Sequence, residues 1–225
     1  MFAVIFEVQP KPARWDEYLA LAKRLKPEIE KIDGFLDNER FASKEREGRL
    51  LSLSIWRDEK AVIRWRTLAV HHEVQEKGRF DIFADYHLRV GEITADSGLG
   101  AGQRLVEQRF DATEVGAAKA VTISELAPRG KGGAVGDAAA PLRLPAIRTQ
   151  GLVEHELYES IYNPGKLLLL ASWTDSAAAG RWSPAAPSGL ALRHRSVRII
   201  RDYGMFDRRE APQYYPPVEC RREAP

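Results

Sequence analysis

Trp65 and His72 stand seven residues apart, about two turns of a helix, on the face that Ala61 and Leu68 mark as buried. A neutral imidazole beside an indole in an apolar pocket can take the proton of a phenolic substrate while the indole stacks on it. His71 lies about 100° further round, at a rim position. His72, Trp65 and His71 are therefore the catalytic candidates. The plainer alternative makes Trp65 core packing and His72 a hydrogen-bonded helix histidine. Trp15 and Tyr18 on a first helix, Asn38 on a second strand and Tyr86 on a last strand are the expected walls of a substrate pocket. Arg40, His87 and Arg89 are polar groups near the same pocket. Glu7 falls on the face opposite Phe6, where it either lines a barrel interior or pairs with an arginine.

Other constellations are missing. No Gly-x-Gly-x-x-Gly and no Gly-x-x-x-x-Gly-Lys-Ser/Thr occurs, so a nucleotide fold has no support. The adjacent histidines diverge on a helix and lack partners at metal spacing, so no metal site is expected. No Ser-His-Asp elbow is visible. Of the 225 residues 44% are hydrophobic and 29% charged, the balance of an ordinary folded protein. Lys+Arg (34) nearly cancel Asp+Glu (32), and the remaining +2 gives no reason to expect nucleic acid or an anionic membrane as partner. No apolar stretch approaches the ~20 residues that span a bilayer. Cys220, the only cysteine, sits in a Pro-rich tail and excludes an intrachain disulfide. The N-terminal run has no basic segment and is interrupted by Glu7, which suits a first strand in a cytoplasmic protein.

The elements that must position these residues occur twice. Gly34, Glu39, Ser43, Gly48, Trp56, Asp58 and Trp65 are matched 117 residues later by Gly151, Glu156, Ser160, Gly165, Trp173, Asp175 and Trp182. Ala3-Val4 and Ala120-Val121 hold the same register. In the first copy Phe2 to Val8 alternates as a strand. A helix from about Arg14 carries Trp15, Tyr18, Ala22, Leu25 and Ile29 on one face, with a kink or break expected at Pro27. Asp33-Gly34 closes it. Phe35 to Ser43 and Arg49 to Trp56 form a hairpin, a second helix runs from Asp58 to about Gly78, and Tyr86 to Val90 is the last strand. That order is βαββαβ. The second copy keeps its strands, but glycines and prolines over Pro128 to Gln150, with Pro184 and Pro187, shorten its helices. Strands apolar on both faces, such as Leu167 to Leu170, need a second cover. The expected fold is α+β: two ferredoxin-like βαββαβ units packed sheet to sheet as one barrel within the chain. The expected boundaries are a first unit over 1–95, a linker over 96–117, a degenerate second unit over 118–207 and a Pro-rich tail over 208–225.

Gly34-Phe35, Ser54-Ile-Trp56-Arg-Asp-Glu-Lys-Ala61, Trp65 and Phe83-Ala-Asp-Tyr86 resemble the antibiotic biosynthesis monooxygenase domains, well over residues 1–93 and faintly over 118–207. The resemblance implies a dimeric α+β barrel, here made by one duplicated chain. It implies oxygenation of a small aromatic or polyketide-like metabolite with no cofactor, the deprotonated substrate itself supplying electrons. A related branch degrades haem with a strand Asn, the helix tryptophan and a His ten residues on. Here Trp65 matches, but Gln75 stands at the third position and the first strand lacks the Asn. A haem-binding relative and a non-catalytic barrel for small hydrophobic ligands are the alternatives. The expected partner is a small aromatic or hydrophobic metabolite, and a homo-oligomer is left open.

Overall fold

A computed structural model of the chain describes residues 1–129, 142, 150–185 and 188–212. The elements are β1 (Phe2–Pro10), α1 (Trp15–Glu30), β2 (Phe35–Ser43), β3 (Leu50–Trp56), α2 (Glu59–Thr67), α3 (Ala69–Lys77), β4 (Phe83–Asp96), β5 (Ala120–Pro128), β6 (Leu152–Ser160), β7 (Leu167–Trp173), α4 (Ser176–Gly180) and β8 (Leu190–Gly204). Eight antiparallel strands close into one barrel in the order β1-β3-β2-β6-β7-β5-β8-β4. The first copy runs β4-β1-β3-β2 and the second β8-β5-β7-β6, the ferredoxin-like order twice. Two seams join them: a short ladder from Phe41–Ser160 to Ser43–Tyr158, and a long one from His87–Gly204 to Asp96–Arg195. Closure leaves no exposed sheet edge.

Strand alternation explains the two-sided apolarity. Ala3, Ile5, Phe41, Leu51, Leu53, Ile55, Val121, Ile123, Leu168 and Leu170 point inward and form one core. The neighbouring positions point outward to the helices. Toward its ends the interior turns ionic. Glu7 is 3% exposed, pairs with Arg89 and with Arg49 (2.9 Å), and accepts a hydrogen bond from the Tyr158 hydroxyl (2.7 Å). Glu125 likewise pairs with Arg195 and with Lys166 (2.6 Å). The Ser43 hydroxyl donates to Glu156, and the Ser160 hydroxyl to Glu39, so the copies exchange equivalent bonds across the seam.

The repeat is visible atom by atom. Gly34 and Gly151 adopt φ of +93° and +87°. Asp58 and Asp175 cap the helices after β3 and β7 by accepting from Ala61 and Ala178 at 2.8 and 2.7 Å. Trp56 and Trp173 are fully buried. One register differs from expectation: Phe2 lies opposite Trp56 where Ala120 lies opposite Trp173, so the first strands match at an offset of 118. The Ala-Val match at 117 is a coincidence of composition.

The helices depart further. α1 continues through Pro27 rather than breaking. The expected second helix is two, because Leu68 is extended (ψ 126°) and ends α2 before α3 begins. A π-helical turn, Gly78–Ile82, leads into β4. In the second copy α4 ends at Gly180, short of Trp182. β4 outruns the expected Tyr86 to Val90, and β8 the seven residues Ser196 to Asp202 that the sequence marks as its strand, because they pair with each other. Most of Pro128 to Gln150, with its glycine-rich loop, and Cys220 with most of the tail fall outside the described residues. No described helix is long and apolar enough to cross a membrane.

Candidate functional site

A cavity of about 500 Å³ lies between the outer face of the first copy's sheet and α1, α2 and α3. That size suits a small organic ligand. Its floor is two rows of cross-strand neighbours, Val90–Val4–Ser54–Asn38 and Leu88–Phe6–Ser52–Arg40. Ser52 and Ser54 alternate with the inward Leu51, Leu53 and Ile55, a sequence signal for a polar outer face. Asn38 is fixed by its amide donating to the Ser52 hydroxyl (3.2 Å) and the Leu53 carbonyl (3.0 Å). Its side-chain oxygen accepts from Arg40 at 3.3 Å. Tyr18, 7% exposed, and Tyr86 form part of the cavity wall. Trp15 is not among the lining residues: as the first residue of α1, it packs against the Val8, Tyr18 and Phe83 cluster, of which Tyr18 and Phe83 reach the cavity.

Trp65 and both histidines line the cavity, but their arrangement differs from the helical-wheel expectation. His71, not His72, stacks on Trp65, with centroids 3.9 Å apart and planes inclined by 17°. The break at Leu68 is the cause, since it resets the helical phase between the two residues. His71 Nδ1 lies 2.9 Å from the Trp65 carbonyl oxygen. A carbonyl only accepts, so Nδ1 carries the proton and Nε2 keeps its lone pair. Burial holds the His71 pKa down to about 4, partly opposed by that hydrogen bond. His71 is therefore a neutral imidazole of fixed tautomer at ordinary pH. His72 lies on the rim with Nε2 3.5 Å from Glu76.

Glu7, His87 and Glu154 bring ligand atoms within 4.8 Å of one another. Arg89 already sits among these carboxylates, ion-paired with Glu7 and hydrogen-bonded to Glu154 at 3.3 Å. His87 Nε2 is 2.6 Å from Asp202. These contacts make the group an ionic support of the barrel wall.

In the second copy the matching rows read Ser196–Thr122–Ala171–His155 and His194–Ser124–Leu169–Leu157. Leu157, Leu169 and Trp182 pack together there, where Arg40, Ser52 and Trp65 face the cavity in the first copy.

A tandem α+β barrel carrying a helix-roofed pocket on one of its two sheets is the class that fold and site define. The family model for antibiotic biosynthesis monooxygenase matches residues 1–77. A curated protein named Jasmonate monooxygenase ABM, from Pyricularia oryzae, is 44% identical over 222 residues, covering 97% of this chain and 100% of that protein. The chain belongs to the antibiotic biosynthesis monooxygenase family. Among solved structures, an aldoxime dehydratase in complex with butyraldoxime is similar at TM-score 0.58 and 13% identity, covering 88% of this chain and 79% of that one. A second aldoxime dehydratase gives 0.56 and 12%, covering 88% and 81%. Both likenesses concern the fold.

Proposed function

We propose that the chain is a monooxygenase that takes a small, mostly apolar aromatic or polyketide-like metabolite into the α1–α3 cavity and oxygenates it without a bound cofactor. The observation that carries this reading is His71, a neutral base of fixed tautomer stacked on Trp65 at the cavity wall. A substrate CH₂ acidified by a neighbouring carbonyl or ring gives its proton to Nε2. The anion then reduces dioxygen and captures it as a peroxide on the same carbon. Loss of water turns CH₂ into C=O, with one oxygen atom retained and the other leaving as water, so no external reductant is needed. Trp65 holds the ring of the substrate, and Tyr18, Asn38 and Tyr86 shape the space around it. The name of the 44% identical relative supports monooxygenase chemistry and makes jasmonate the first substrate to try.

The test is incorporation of ¹⁸O from ¹⁸O₂, read by mass spectrometry, with the purified chain in chelator and no added flavin or haem. Jasmonate and a panel of hydroxylated aromatics are the substrates. One labelled oxygen per product, lost in His71→Ala, is expected. Turnover that appears only after haemin is added, with a Soret band, overturns cofactor independence. Tight binding without turnover of any substrate favours a ligand-binding barrel instead.

A further inference from the structure

We propose that Arg40 anchors a carboxylate, so that the substrate is a small apolar acid held by its acid group at one end of the cavity. This deepens the reading of the cavity as a substrate pocket and rests on it. Arg40 stands at the β2 end of the floor row Leu88–Phe6–Ser52–Arg40. Among the described residues its partners are neutral: the Asn38 side-chain oxygen at 3.3 Å, the Tyr162 hydroxyl at 3.4 Å, and Tyr18 beside it. The arginines that brace the barrel differ in this respect, since Arg49 and Arg89 meet Glu7, Arg195 meets Glu125 and Arg198 meets Glu92. A half-buried guanidinium among apolar walls with no counter-charge is unfavourable unless something else gains from it.

The fold itself does not require the charge. At the equivalent place in the second copy, opposite Leu169 as Arg40 is opposite Ser52, the chain has Leu157, and that copy's sheet is packed solid there. Among the described residues the cavity is also short of negative charge. Six of their Lys or Arg side chains line it against two carboxylates, and one of these, Glu59, is taken by Arg109 at 2.7 Å. A planar carboxylate matches the guanidinium fork, and a single anionic group on an apolar body matches the mixed lining.

Placement adds a constraint on shape. Arg40 adjoins Tyr18, which packs with Phe83 and Val8, whereas Trp65 packs with Trp56, Val62 and Val90. The acid group is thus held apart from the carbon that meets His71, so anchoring energy from a remote group positions the reacting one.

The experiment compares jasmonate with methyl jasmonate, which removes the charge and keeps the body, by calorimetry on the full chain. The unmodified protein is expected to bind the acid at least about tenfold more tightly than the ester. Arg40→Met should abolish that preference, and Arg40→Lys should restore part of it. Asn38→Asp, which supplies an internal carboxylate beside Arg40, should abolish it independently and guards against misfolding of the first variant. Equal binding of acid and ester by the unmodified protein overturns the anchor and leaves the pocket standing. Loss of the preference in Arg66→Gln or Arg201→Gln, but not in Arg40→Met, also overturns it. Failure of both compounds to bind overturns the pocket and the anchor together.

Discussion

The two copies share a strand framework and differ in what the outer face of the sheet carries. In the first, Ser52, Ser54, Asn38 and Arg40 face a cavity roofed by three helices. In the second, Leu169, Ala171, His155 and Leu157 occupy the same ladder positions, and the one described helix, α4, has five residues. The interior tells the opposite story. Glu7–Arg89 and Glu125–Arg195 are buried ion pairs at equivalent places, and each copy lends a serine hydroxyl to the other's glutamate. Closing the barrel therefore constrains both copies alike, whereas the outward faces have diverged. The contrast separates residues the fold needs twice from residues present once, and the latter group supplies Asn38, Arg40 and His71 to the candidate site.

The largest expected effect tests that separation. His71→Ala should lower kcat by about 10²–10⁴-fold, the usual contribution of a general base. Substitution of Ser188, which stands 117 residues after His71, should leave kcat unchanged. Comparable losses from both would break the assignment of function to the first copy.

Next comes the shared interior. Glu7→Ala takes the buried glutamate from Arg89, 1% exposed, which keeps Glu154 at 3.3 Å, and Glu125→Ala takes it from Arg195, 3% exposed, which keeps Asp96 at 3.1 Å. Each should cost about 2–3 kcal/mol in denaturant unfolding, less than a wholly unpaired buried charge. The Glu125 variant, still folded, should retain its turnover per molecule. A large cost in one copy only would mean that the pseudo-symmetric pairs are not equivalent supports.

The pH dependence separates the copies again. His71 has its pKa lowered from 6.5 to about 4 by burial, so the unfolded chain takes up this proton first. Stability from this group is complete above pH 6.5 and falls as the pH drops toward 4, by about 3 kcal/mol in all. His71→Asn should flatten that slope. Burial also lowers the His194 pKa in the second copy, so the comparison of variant with parent isolates the His71 share. Glu7 acts in a lower window. Burial alone raises its pKa, yet Arg89 and then Arg49 bring it to about 2, so its stabilisation is lost as the pH falls from 4.5 toward 2.

What the sequence made legible follows the same division. The barrel could be read because alternation and glycine spacing are local signals that recur: Gly34 with Gly151, Asp58 with Asp175, and inward Glu7 beside outward Phe6. The break at Leu68 could not, since neither glycine nor proline marks it. It forms where the Trp65 carbonyl accepts from the Leu68 amide (3.3 Å) and His71 Nδ1 (2.9 Å) in place of a regular helical partner. That one irregularity moved the stacking partner from His72 to His71. The extra lengths of β4 and β8 were invisible for a related reason, because each is fixed by a strand about 100 residues away. Arg40 is legible as polar, but the neutrality of its partners among the described residues is a property of the assembled cavity.

The smallest expected effect joins framework to site. Gly34 and Gly151 have positive φ, and a Cβ on either would meet Ala61 or Ala178 at 2.7 or 2.6 Å. Gly34→Ala and Gly151→Ala should each cost about 1–2 kcal/mol from backbone conformation, with a similar added cost from the contact. Stability should therefore fall about equally. Ligand uptake should not, because Ala61 lies one turn before Trp65 on α2, so displacing it shifts the cavity wall, whereas Ala178 supports only α4 and the packed face. A change in KM from Gly34→Ala with none from Gly151→Ala would show one framework serving two faces, only one of which holds a ligand.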